Sequence, residues 1–156
     1  MAGAYMMRFM TAVDNRDISA VQQQLLAGYV KADSNYLGVF PLHLAIENGD
    51  VDMAAVLLTA GADVTLKANG KNKKDALGLA TAMRDDPKCK FRQEAAVIVE
   101  IINDKEALKR RFDDVQITIA KKNAKDIQQM KTFCMVAAPC MAILAWYLFY
   151  TGDKKA

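Results

Sequence analysis

The side chains that could carry out chemistry in this chain are few and scattered. His43 is the only histidine among 156 residues, so there is no second imidazole to complete a metal site or a proton relay. Of the three cysteines, Cys89 stands alone, and Cys134 and Cys140 fall inside an uncharged stretch where thiols behave as small hydrophobes. No CxxC pair is present, and zinc is unsupported. The phosphate-cradling GxxxxGK[ST], the dinucleotide-binding GxGxxG and the nucleophile-bearing GxSxG patterns are all missing. Gly61-Ala62-Asp63 and Asn69-Gly70 are turn chemistry. The chain therefore reads as a non-enzyme, with no catalytic residue, cofactor, metal or small-molecule substrate expected.

One cluster of like charge remains, Lys67-Ala68-Asn69-Gly70-Lys71-Asn72-Lys73-Lys74. As a contact it would suit acidic lipid headgroups or an acidic subunit, since lysines near an anionic surface add roughly 1 kcal/mol each. A solvated loop is the other reading and the one favoured here. Nucleic acid is not expected: the net charge is only +3, and the aromatic and basic residues are not interleaved as single-strand binders require. A hydrophobic content of 53% with 25% charged residues excludes a disordered tail, and the length allows about one domain.

The elements that must position these residues are clearest in Gly38–Val64, GVFPLHLAIENGDVDMAAVLLTAGADV. Pro41 opens a short helix in which Leu42, Leu44 and Ala45 are apolar, and Asn48-Gly49-Asp50 breaks it. Val51–Leu58 forms a second helix, which Gly61 ends where a left-handed residue is wanted. Two short helices and a turn cannot bury their apolar faces alone, so the unit needs stacked neighbours. Ala12-Val13-Asp14-Asn15-Arg16-Asp17-Ile18 precedes Ala45-Ile46-Glu47-Asn48-Gly49-Asp50-Val51 by 33 residues. Leu25-Leu26-Ala27-Gly28 echoes Leu57-Leu58-Thr59-Ala60-Gly61 with one residue missing, and the opening helix of that unit is Tyr5–Val13. Downstream, Ala76-Leu77-Gly78-Leu79-Ala80 sits 35 residues after Pro41-Leu42-His43-Leu44-Ala45. Its partner helix, Glu94–Asn103, is delayed by an insert around Arg84–Arg92.

This middle unit closely resembles the ankyrin repeat, with Phe40 where the family has threonine and Asp50 where it has histidine. The resemblance implies about three repeats over residues 4–104, near consensus at 38–66 and degenerate on either side, as terminal repeats are. It also implies structural roles for Pro41, Leu42, His43, Ala45, Gly49, Leu57, Leu58 and Gly61, with His43 bracing adjacent turns by hydrogen bonds. The loops between repeats become fingers that, with the inner helices, line the face the family uses to bind proteins. Asn69-Gly70 then turns a basic finger carrying Lys67, Lys71, Lys73 and Lys74, and the other finger, Ser34–Leu37, exposes Tyr36 and Leu37.

Two further segments follow. Between Asp104 and Lys131, Leu108, Phe112, Val115, Ile119, Ile127 and Met130 recur at three- and four-residue steps, predicting one amphipathic helix. It would either cap the open end of the stack or bind a partner. Thr132–Tyr150 is then free of charge for nineteen residues, about 28 Å of helix, close to the hydrocarbon thickness of a bilayer. Trp146, Tyr147 and Tyr150 cluster toward one end of it, as at a lipid–water interface, and Pro139 near its middle predicts a kink. Arg111, Lys121, Lys122, Lys125 and Lys131 lie upstream against Lys154 and Lys155 downstream, which keeps the N-terminal part on the cytosolic, matrix or stromal side.

The expectation is an all-α chain. A short ankyrin-repeat solenoid is followed by a linker or capping helix at 105–131, one transmembrane helix at 132–150 and a polar tail at 151–156, a tail-anchored layout. Its expected role is a scaffold bound to the lipid bilayer and to other protein subunits. An accessory subunit of a respiratory or photosynthetic membrane complex is favoured, in a mitochondrial membrane before a plastid or the ER. A free adaptor that recruits soluble partners to an intracellular membrane is the alternative.

Overall fold

The computed structural model describes the backbone of residues 2–68 and 73–152 and the side chains of residues 3–68 and 73–129. Among these there are seven α-helices and no strand: α1 Ala2–Asp14, α2 Ile18–Leu26, α3 Pro41–Glu47, α4 Val51–Thr59, α5 Ala76–Asp85, α6 Arg92–Asn103 and α7 Lys105–Gly152. Contacts divide the chain into two compact units, Met1–Gln116 and Ile117–Ala156.

In the first unit the helices pair as α1 with α2, α3 with α4 and α5 with α6. The pairs stack in register, α3 packing on α1 and α5, and α4 on α2 and α6. An inner layer of α1, α3 and α5 thus lies against an outer layer of α2, α4 and α6. Phe9, Leu42, Ile46, Met53, Leu57 and Ile98 fill the space between the layers, each fully or almost fully buried. Small residues let the layers approach, and Ala45, Ala54, Ala55, Ala76, Ala80 and Ala95 have no exposed surface.

Recurring local chemistry builds each pair. Asp17, Asp50 and Asp75 are N-caps whose carboxylates accept the backbone N–H of Ala20, Met53 and Gly78. Helix α4 closes with Gly61 at φ +88, where Gly61 N–H donates to Leu58 and Ala62 N–H to Leu57, the paired bonds of a Schellman turn. Gly49 at φ +63 closes α3 the same way. In the first pair this left-handed position is held by Arg16 at φ 58, and its guanidinium donates to the Asn48 carbonyl in the next turn.

Several expectations are corrected. Helix α1 begins at Ala2, ahead of Tyr5, and α6 at Arg92, ahead of Glu94. The Phe91 carbonyl accepts Ala95 N–H, so the insert is shorter than the sequence suggests. Leu57 is fully buried, whereas Leu58 is only half-buried. The start of α7 packs on the stack. It lies along the outer layer, with Arg111 paired to Asp52 of α4 at 2.7 Å and Ala107 and Val115 buried. Further along, in the second unit, Lys121–Gln129 are all exposed, Ile127 among them.

Among the described residues no helix is long and apolar enough to cross a membrane. The side chains of 130–156 lie outside them, and with them the expected span Thr132–Tyr150 and its residues Pro139, Trp146, Tyr147 and Tyr150.

A candidate protein-interaction surface

Two loops connect successive helix pairs, each joining an outer-layer helix to the next inner-layer one. The first runs from α2 to α3 and ends in a hairpin of minimal length. Tyr36 N–H donates to the Val39 carbonyl and Val39 N–H to the Tyr36 carbonyl, both at 3.0 Å. Leu37 and Gly38 form the turn, with φ of 53° and 87°. Positive φ at both central positions defines a type I′ turn, for which Asn-Gly is the favoured pair. Asn35 supports it, its side-chain oxygen accepting Gly38 N–H at 2.8 Å.

Leu37 is therefore held in the left-handed region, at a cost of roughly 1–2 kcal/mol for a residue with a Cβ. It is also 85% exposed, so no burial within the chain offsets that cost. Tyr36, expected to be exposed with it, is half-buried. Phe40, where the loop re-enters α3, departs from local rules as well. It occupies the N-cap position with no side-chain hydrogen bond, where serine, threonine or aspartate would contribute about 1 kcal/mol. Its ring instead lies 5.8 Å from that of His43.

The second loop runs from α4 to α5 and is tied to the first. Asp63 N–H donates to an Asp33 carboxylate oxygen at 2.6 Å, joining the loops near their bases. Asp63 also accepts the backbone N–H and the hydroxyl of Thr65, and these two bonds, the backbone one larger, hold its carboxyl below the usual value. His43 braces the far side of the loop. Its ring is 2% exposed, and Nε2 donates to the Lys74 carbonyl at 3.0 Å, while Nδ1 has no partner. Lys67, Lys73 and Lys74 are exposed. Lys71 and the Asn69-Gly70 turn lie outside the described residues, so the basic finger is seen only at its two bases.

The structure thus brings Tyr36, Leu37 and Phe40 together on one loop and spreads the lysines over another. Phe40 was not legible as a surface residue, because next to Pro41 it reads only as a departure from the repeat pattern. Cys89 is a free thiol in the insert, and no group of metal-binding side chains gathers among the described residues.

A paired-helix stack with bracing histidine, hairpin loops and Schellman turns defines an interaction scaffold of the repeat type. The family model for ankyrin repeats, in three copies, matches residues 9–91, more than half of the chain, so the protein belongs to the ankyrin-repeat family. That fold is a non-enzymatic one that serves protein–protein interaction. No curated protein and no solved structure matches the chain.

Proposed function

We propose that the protein is a non-catalytic scaffold that binds another polypeptide through its first finger, and that a membrane span at Thr132–Tyr150 anchors it. In this reading it is an accessory subunit of a multi-subunit integral-membrane complex of the respiratory or photosynthetic type, with a mitochondrial membrane favoured. Leu37 carries the argument. An exposed leucine in a left-handed turn lowers stability and gains nothing inside the chain, and such departures concentrate where a contact needs them. Phe40, forgoing the N-cap of α3 on the same loop, points the same way. The anchor rests on nineteen charge-free residues and on the basic residues that precede them. Permanent assembly is favoured over transient recruitment because three short repeats bury little surface, and a partner would supply the rest.

The test is Leu37→Asn in the full chain. It restores the favoured Asn-Gly turn and should raise the thermal midpoint, by about 1 kcal/mol of stability, while the protein stops co-migrating with a large complex on a native gel. A more stable variant that still co-migrates would remove the finger from the interface. Wild-type protein found alone near its own mass would instead favour the free tail-anchored adaptor.

A further inference from the structure

In the second unit α7 continues as a helix whose charge is confined to one side. Lys121, Lys122 and Lys125 are all exposed, and among the described residues none of them forms an ion pair. At about 100° per residue they fall within an arc of about 100°. Ile117, Ala120, Ala124 and Ile127 make a separate, exposed stripe about 80° wide. Asp126 is the one acidic residue between Ile117 and Lys131, so the lysine face keeps a net positive charge.

Position along the axis and the kind of cation say what lies opposite. The α7 backbone is helical without a break from Lys105 to Gly152, through the charge-free segment that starts at Thr132. At 1.5 Å per residue, Lys125 stands about 10 Å and Lys121 about 16 Å before Thr132. If Thr132 marks the hydrocarbon edge, headgroups fill roughly the first 5–7 Å, and the Debye length in physiological salt is about 8 Å. All three lysines then stand within roughly one Debye length of the headgroups, and the ordinary tilt of a span, about 20°, brings one face closer still. The face carries lysine and no arginine. Lysines are mobile point charges without the fork that fixes a single carboxylate, which suits a layer of headgroups better than one acidic side chain of a partner.

We propose that Lys121, Lys122 and Lys125 contact anionic lipid headgroups of the leaflet next to Lys131, and that this attraction sets the direction in which the span tilts. The inference rests on the anchor proposed at Thr132–Tyr150.

The experiment reconstitutes the full chain in phosphatidylcholine vesicles, washes them with alkaline carbonate, and compares spin-labelled phosphatidylserine with spin-labelled phosphatidylcholine for residence at the protein surface. Phosphatidylserine should be preferred by about fivefold, the effect of one lysine near an anionic surface. Raising the salt to 1 M, where the Debye length is about 3 Å, should remove the preference. Replacing the three exposed lysines together, Lys121→Gln, Lys122→Gln and Lys125→Gln, should also remove it and leave the helical signal unchanged. Leu37→Asn should keep it, which separates this face from the first finger. A chain retained in the washed vesicles with no preference would overturn the proposal, leave the anchor standing and return the basic face to an acidic partner protein. A preference that survives the triple replacement would overturn it too, placing the lipid contact on other residues. Loss of the chain on washing would refute the anchor, and this proposal with it.

Discussion

Gly49 sits at φ +63 in the turn between α3 and α4, and a Cβ added there would meet Phe91 Cγ at 2.5 Å. The position therefore lacks a side chain for two independent reasons, backbone conformation and contact with the insert of the next repeat. Gly49→Ala should destabilise the stack by roughly 2–4 kcal/mol, the left-handed alanine and the overpacking adding together. Phe91→Ala in the same chain should return part of that loss, a coupling that a double-mutant cycle of thermal midpoints would read. If Phe91→Ala returned nothing, backbone strain alone would account for the glycine. Acid sensitivity belongs at this scale too. Asp63 is held below its usual value by Thr65, and Asp85 by the hydrogen bond from Arg84. A carboxyl whose folded value is depressed contributes stability that is fully present above its unfolded value of 3.8 and is lost as pH falls through the lower, folded one. Asp63→Ala should accordingly flatten the acid limb of the stability curve as pH falls below the unfolded value of 3.8, with little change in its slope near neutrality.

At the scale of elements, α4 presents two neighbouring leucines to different surroundings. Leu57 has no exposed surface and Leu58 is half-buried. Leu57→Ala should cost roughly 2–5 kcal/mol and Leu58→Ala clearly less, compared by chemical denaturation. Equal losses would mean that α4 is rotated from the orientation described. The helix pair α3–α4 was legible from the sequence because its signals are local: Pro41 at a helix start, Asn48-Gly49-Asp50 at the turn, and Gly61 at the end. Arg16 was not legible as a left-handed residue, since only its 33-residue spacing from Gly49 hints at the role. Leu37-Gly38 likewise lacks the asparagine that announces a type I′ turn. The start of α6 was hidden because Phe91 caps it without a side-chain hydrogen bond. For α7, periodicity shows which residues share a stripe, but not that the stripe lies along the outer layer. Side-chain spacing carries no information about which neighbour a helix meets.

For the whole molecule, the proposed anchor has a direct check. Removing residues 131–156 should move the protein from the membrane fraction to the soluble one, and alkaline carbonate should fail to extract the intact chain. Extraction by carbonate would make it a peripheral protein. The insert of the third repeat has a different consequence, one for proteolysis. Lys88 and Lys90 are exposed in the loop that joins α5 to α6, and both helices remain packed on α3 and α4. Where trypsin nicks the chain there, the two fragments should stay together through size-exclusion chromatography, held by the layers and by Phe91 against Gly49. The loop is thus a natural split point, at which the protein could be produced as two polypeptides that reassemble.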